Sequence, residues 1–552
     1  MMMPGRIREK APEAEEAIRR WSELKTERAK HEGDWEDIAR LIRPQRGGFS
    51  SDDPMGRQLE KPLSSAPIMA QLNFASGLYG TLTNPANRWF GFATDDDDLN
   101  AWHPMKLWLD ATTTRVLNSF GPSVSSFYPA TTQVFSDLSA FGNAAQYDEV
   151  SPENRKILDV TLSLAEVAYD IDGWGQVWEV VRRFQLRPRA AVAMFQGAVP
   201  PKVAEMAEKG ATDKLTFYHH VLKNVDWRRG SLGPRGKRWL SRYVCEVEHS
   251  LLRESGYEEM PFFAPRWDVE TGAIYGTGPG FVALASTRSY QRMQDATLRA
   301  AQMGAEGVLL APDKGDWPLD GKVRPGAVIY NGIGPRGQRM VDVLNPAQGI
   351  TLTLQEKQQM IEEIRDAFNF TLMNLAGRTG MTATEVMTIN EEKARLWAPH
   401  QGRVQEEFLA RKVQRRFSML WRAGQLPPPP PEAGGASLQV TYQSAAAAAA
   451  KSGQGASTVR LLETLMPLAQ IDPRVRDRID ADGVAEVLAE AYGTPAKVLR
   501  SREVADQLAA QRAQQEQAMQ AMQMAQAGAG ALKDAASAGT ALSPDMMGGA
   551  GA

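Results

Sequence analysis

The residue types that carry most enzyme chemistry are present, but their spacings do not bring them together. Gly276-Thr277-Gly278-Pro279-Gly280 precedes a predicted helix, where backbone amides and the helix N-terminus could cradle a phosphate. Pro279 has no amide to donate, the third glycine of a dinucleotide fingerprint is out of place, and no Lys-Ser or Lys-Thr pair follows. The loop reads as a tight structural turn. Gly315 to Lys322 has one residue too many between its glycines for a Walker loop, and Val323 stands where a hydroxyl is required. The histidines, at 31, 103, 219, 220, 249 and 400, form no HExxH pair. His219 and His220 fall on one predicted strand, where adjacent side chains face opposite ways, so a polar surface or half-buried satisfied role is expected. Asp170-Ile171-Asp172-Gly173 opens like a calcium loop but lacks the later ligands, which leaves a turn. The run Asp95 to Asp98 could recruit a cation or a basic partner; before a helix, its simpler role is capping and solvation. The single cysteine, Cys245, excludes an intrachain disulfide and any one-chain thiolate cluster, and without a GxSxG elbow it is expected as a small buried apolar side chain. No catalytic, cofactor-binding or metal-ligating residue is assigned, and no cofactor is expected.

Two predicted helices carry a different signal. On the first, Phe281 to Met303, Arg288, Arg292, Asp295 and Arg299 share a face and make a mostly basic stripe, which as a purely structural feature would be a solvated face. On the second, Gln355 to Leu375, Ile361, Ile364, Phe368, Leu372 and Leu375 form an apolar stripe beside Glu356, Glu362, Glu363 and Asp366. Between them lies a Pro/Gly-punctuated piece with short strand candidates from Val308 to Leu344. An antiparallel helical pair with a β-rich tip follows.

The remaining elements divide by texture. Helices are predicted over Pro12 to Ile42, Ser65 to Leu82, His103 to Phe120 and Ser126 to Phe141. From Tyr147 to Cys245 the chain alternates as strands, with helical character from Pro188 to Gly210, and Glu254 to Gly280 is an ordered connection rich in breakers. A long helical pattern runs from Ala383 to Gly424, with Pro399 as a kink or boundary. The prolines 427 to 431 and the uncharged stretch to Ala450 read as a linker or excursion. Ser457 to Ala510 reads as short helices split at Pro467, Pro473, Gly483 and Pro495; Gln511 to Gln526 is helix-prone, and the Gly/Ala tail is expected to fray. At 552 residues the chain should hold several domains of roughly 100–200 residues each. A formal charge of −3 argues against tight nucleic-acid wrapping. No signal-peptide h-region and no apolar run of roughly 20 residues is found, so synthesis in a reducing cytoplasm, with no membrane partner, is expected.

Five landmarks, in order, resemble one family: WEDIARLIRPQRGGF (Trp35 to Phe49), LNFASGLYGTLTNPANRWFGF (Leu72 to Phe92), RWDVETGAIYGTGPGFVALASTRSYQRM (Arg266 to Met293), MTATEV (Met381 to Val386) and DADGVAEVLAEAYGTPAKVLRS (Asp480 to Ser501). The chain resembles the portal proteins, or head-to-tail connectors, of short-tailed, podovirus-type bacteriophages, over about residues 12 to 510. Thr277 replaces the arginine usual in the family's glycine turn.

The resemblance implies an α+β, mainly helical, multi-domain ring subunit with wing, stem, clip and crown. By order along the chain, 1–280 would be the wing, 281–303 and 355–376 the stem helices, 304–354 the clip, 377–382 a tunnel loop, 383–424 a long wing helix, 425–456 a linker or excursion, 457–510 the crown and 511–552 a Gln/Ala-rich helix and flexible tail. It implies a homo-oligomer, a dodecameric ring at one capsid vertex, passing double-stranded DNA non-specifically. Its partners would be the terminase large subunit, the major capsid and scaffold proteins, and tail adaptor or nozzle proteins. Arg378, Thr379 and Met381 would line the channel, and the basic stripe Arg288, Arg292 and Arg299 would lie on the stem. A tail adaptor or scaffold protein is the alternative within virions; a nucleotide-dependent enzyme using the glycine turn is the alternative outside them.

Overall fold

The computed structural model describes residues 7–49, 62–151, 156–305, 308–310, 335–338, 342–344, 350–369, 397–435, 437–442, 445–472, 474–475, 478–494 and 496–539. They fall into two compact units. One comprises Met1–Phe92, Thr112–Pro427 and Val440–Ala446; the other comprises Ala93–Ala111, Pro428–Gln439 and Ala447–Ala552.

In the first unit, α1 (Pro12–Leu41) is one unbroken helix with Pro12 at its first turn, where the missing amide costs nothing. Along the chain follow α2 (Ala66–Leu82), β1 (Phe90–Thr94), α3 (Asp97–Ala101), which belongs to the second unit, α4 (His103–Asn118) and α5 (Phe127–Phe141). α5 ends on Gly142 at φ 71°, a left-handed cap suited to glycine. β2 (Ala145–Val150) pairs antiparallel with β3 (Ile157–Leu162). An antiparallel meander is built from β4 (Val167–Ile171), β5 (Val177–Leu186), β6 (Leu215–Lys223), β7 (Trp239–Cys245) and β8 (Ser250–Tyr257), in that order. The helices α6 (Pro188–Met194) and α7 (Pro201–Glu208) interrupt it between β5 and β6.

The alternation along these strands builds two cores. Ala168, Val181, Tyr218, Val244 and Leu251 face α1 through Ala14, Ala17, Trp21 and Leu24. Phe184, Phe217, Tyr243, Cys245 and Leu252 face α6 and α7 through Ala191, Phe195 and Val203. Period-two side-chain placement thus makes a sheet covered on both faces. His219 and His220 split between the faces, as adjacency requires, but both are fully buried, not half-buried. His219 Nε2 meets Ser241 Oγ at 2.9 Å; His220 Nε2 meets Glu179 Oε1 at 2.7 Å.

β9 (Phe262–Phe263) adds to β2, and α8 (Pro279–Ala305) then runs longer at both ends than its predicted span. β10 (Val308–Leu310) and β11 (Asp342–Leu344) pair antiparallel with each other, and α9 (Ile350–Ala367) returns along α8. α9 starts five residues earlier than its apolar stripe suggested, because Ile350, Leu352 and Leu354 extend the helix-compatible sequence backwards. After helical residues 397–404, a π-helical turn (Gln405–Ala410) leads into α10 (Arg411–Arg422), so the long helix is not uniformly α.

In the second unit, Asp96 caps α3 by accepting from the amides of Asp98 and Leu99, the capping role expected of the acidic run. The presumed linker is largely structured: β12 (Leu438–Tyr442) and α11 (Ala445–Ile471) occupy it. Alanine is the best helix former, so a run without apolar periodicity still coils. Pro467 lies inside α11 without ending it. Two more helices, α12 (Ala481–Ala491) and α13 (Arg502–Gly539), follow. α13 carries helix well into the tail that was expected to fray.

Candidate DNA-channel and stem site

The α8–α9 pair is seated by the glycine turn. Asn143, directly after the α5 cap, brackets Gly276: its Nδ2 donates to the Gly276 carbonyl at 2.7 Å and its Oδ1 accepts from the Gly276 amide at 2.8 Å. A Cβ on Gly278 would lie 2.7 Å from the Gly142 backbone, and one on Gly280 would lie 2.2 Å from the Ala140 carbonyl oxygen. Two backbones therefore touch where α8 starts, and only glycine permits it. The Thr277 amide is spent on Asp268, and the Phe281 amide on the Gly278 carbonyl. The amides of Gly276, Thr277 and Phe281 are thus engaged within the fold, which agrees with a structural turn.

The basic stripe resolves into three different situations. Arg288 reaches α1, its Nε donating to Asp37 Oδ2 at 2.8 Å and an Nη group lying 3.4 Å from Asp34. Arg299 pairs with Asp295 at 2.8 Å, one turn away on the same helix. Arg292 is exposed and has no ion pair among the described residues. The three are not one free cationic surface, because the acids of α1 and of α8 itself neutralise two of them. Across the pair, Ser286 Oγ donates to Glu363 at 2.8 Å, while Ile364 and Phe368 are buried.

Arg378, Thr379 and Met381 lie outside the described residues. The two ends of their segment do not, and they converge. Phe74 of α2 stacks edge-on against Phe368 at 6.3 Å and against Trp397 at 5.5 Å; Trp267 lies 5.5 Å from the same ring. His400 stacks on Trp267 at 4.9 Å. Phe368 and Trp397, described residues on either side of that segment, thus meet at one aromatic cluster.

Helix α10 carries a cluster of buried ion pairs, which sequence reading missed. Lys412 Nζ stands 2.5 Å from Asp159 and 3.1 Å from Asp148. Arg415 reaches Asp148 at 2.5 Å, and Arg416 reaches Asp159 at 3.1 Å. All five groups are buried. Just before it, Glu407 in the π turn holds Arg266 at 2.7 Å. These are interior pairs that fasten a late helix to the β2–β3 hairpin and the segment before the glycine turn. Among the described residues no group of three His, Cys, Asp or Glu side chains is arranged for a metal ion, and no helix is long and apolar enough to cross a membrane. Burial raises the Cys245 thiol to about 11, so it stays protonated and unreactive near neutral pH.

Comparison with known proteins meets this geometry. The chain is 28% identical over 539 residues to the portal protein of Salmonella phage epsilon15, covering 94% of this chain and 95% of that one. It is 28% identical over 528 residues to the probable portal protein of Bordetella phage BPP-1, covering 93% of each. A solved structure titled as the neck of an empty GTA particle computed with C6 symmetry overlays 72% of this chain and 86% of its own with 12% identity; its TM-score of 0.35 adds nothing to the assignment. The sequence profile of the family described as bacteriophage head to tail connecting protein matches residues 14–499. With most of its length matched, and with relatives bearing the portal name, the chain belongs to the bacteriophage head to tail connecting proteins.

Proposed function

We propose that this chain is the portal subunit of a bacteriophage: a dodecameric ring at one capsid vertex through which double-stranded DNA enters during packaging and leaves during ejection. The observation that carries this reading is the α8–α9 antiparallel pair ending in the β10–β11 pair, inside a family match that spans nearly the whole chain. Helix, β tip and returning helix correspond to stem, clip and stem. The terminase large subunit would dock first and tail adaptor or nozzle proteins afterwards, with capsid and scaffold proteins around the rim. The chain acts as conduit and docking ring; the packaging ATPase is a separate protein.

In this reading Arg378, Thr379 and Met381 line the constriction. One weak cationic contact per subunit, repeated around a ring, gives transient phosphate contact without the counterion-driven affinity that would stall a duplex. Particles assembled without this chain are expected to be DNA-free shells, and DNA-filled heads lacking it would sink the proposal. Arg378→Ala is expected to lower DNA packaging or retention in assembled particles; unchanged DNA content would remove Arg378 from the channel role alone.

A further inference from the structure

One end of the five-stranded sheet is built as an ordered, charged and apolar platform. The register of β5 with β6 places the β4–β5 turn and the β6–β7 loop at the same end of the sheet. Residues 223–238 carry Lys223, Arg228, Arg229, Arg235, Lys237 and Arg238 against the single acid Asp226. Lys237 pairs with Glu258 at 2.7 Å, and Arg238 lies over the Trp227 ring at 5.0 Å. Arg228, Arg229 and Arg235 are exposed and have no ion pair among the described residues. Beside them Val225 and Leu232 are each 95% exposed, and Trp174, on the neighbouring turn, is 90% exposed.

The loop that presents these groups is fixed. Asn224 is buried and its Nδ2 donates to the carbonyls of Pro234 and Lys237 at 3.1 and 2.8 Å. The Arg228 amide donates to the Arg235 carbonyl at 2.9 Å, closing the loop on itself. A loop backbone held in place before binding has less entropy to lose on binding. The loop therefore presents arginine and apolar side chains from a backbone that need not be ordered by a ligand.

We propose that this platform docks an acidic, partly apolar segment of another protein. The unpaired arginines call for carboxylates, which they can hold with paired hydrogen bonds. Val225, Leu232 and Trp174 decide between classes of partner: a phosphate backbone buries no aliphatic surface, whereas exposed tryptophan and arginine together are the composition of protein interface centres. The partner's segment alternates Asp or Glu with apolar side chains, so that both parts of the platform are satisfied.

The test uses the full chain and fluorescence anisotropy at about 0.15 M salt. The probes are a fluorescein-labelled peptide of repeated Glu-Glu-Leu, its Gln-Gln-Leu counterpart and a labelled DNA duplex. The acidic peptide is expected to bind saturably and its neutral counterpart at least about tenfold more weakly. The paired substitution Arg228→Glu with Arg229→Glu, and separately Leu232→Ser, should each weaken the acidic peptide, the former about tenfold or more, while thermal unfolding stays unchanged. Arg235→Glu serves as a second charge variant should the first pair fold poorly. Equal peptide binding by parent and charge variants would overturn the proposal. So would a duplex that binds more tightly than the peptide and is lost in the same variants, which would make the platform a nucleic-acid site. A change in the sedimenting size of the charge variants would also overturn it, assigning the platform to contact between copies of this chain.

Discussion

At the residue scale the chain spends its charges inward. Lys412, Arg415 and Arg416 belong to the stretch Arg-Lys-Val-Gln-Arg-Arg of the predicted long helix, and the three cations are buried against Asp148 and Asp159. Nothing local announces this, because the partners lie more than 250 residues earlier in the chain. What was legible were the negatives: the glycine turn, the Asp170–Gly173 turn, whose Asp172 Oδ1 accepts from the amides of Trp174 and Gln176, and Cys245 as a buried small side chain. Glu179 shows what inward charge does to stability. Burial alone would raise its carboxyl, but hydrogen bonds from His220 and Arg20 outweigh burial and bring it down to about 2. A carboxyl depressed in the fold stabilises fully above its ordinary value of 4.5, and that contribution disappears as pH falls towards 2. Glu179→Gln should cost on the order of 2–3 kcal/mol at neutral pH and flatten the acid limb between those values. Urea unfolding at a series of pH values measures both; an unaltered acid limb would show that Glu179 is not the responsible group.

At the element scale the helices were read well where an apolar stripe met a capping or breaking residue. α5 stops at Gly142, α2 gives way to Asn84-Pro85, and α8 begins at the glycine turn. The reading failed where composition hid the period: Leu438–Tyr442 is short, and the alanines after it carry no pattern, so a strand and a helix passed for a linker. Packing also reassigned Arg288, whose stripe on α8 was visible but whose partners, Asp34 and Asp37, sit on a helix far away in sequence. The glycine turn sets where α8 starts. Gly278→Ala forces a Cβ to 2.7 Å from the Gly142 backbone, so either α8 or the α5 cap must shift. A loss of about 1–3 kcal/mol in unfolding free energy is expected, with fewer assembled particles than the parent gives. Stability and assembly unchanged from the parent would contradict the close-packed turn. Further along, among the described residues β10 and β11 pair through three residues each, too few to stand alone in water. If the proposed clip pairs between subunits, deleting 308–344 should abolish closed rings, and normal rings after the deletion would remove this segment from assembly.

At the scale of the whole molecule, a net charge of −3 gives no overall cationic excess to hold a duplex. That balance suits passage, since a ring supplies by repetition what one subunit lacks. Heterologous contacts between identical copies either close into a ring or run on as a filament. End-on negative-stain averages of the purified full chain test the central claim most directly. Closed twelvefold rings with a stain-filled central hole are the predicted result; solid particles, open filaments or unassembled chains alone would contradict it.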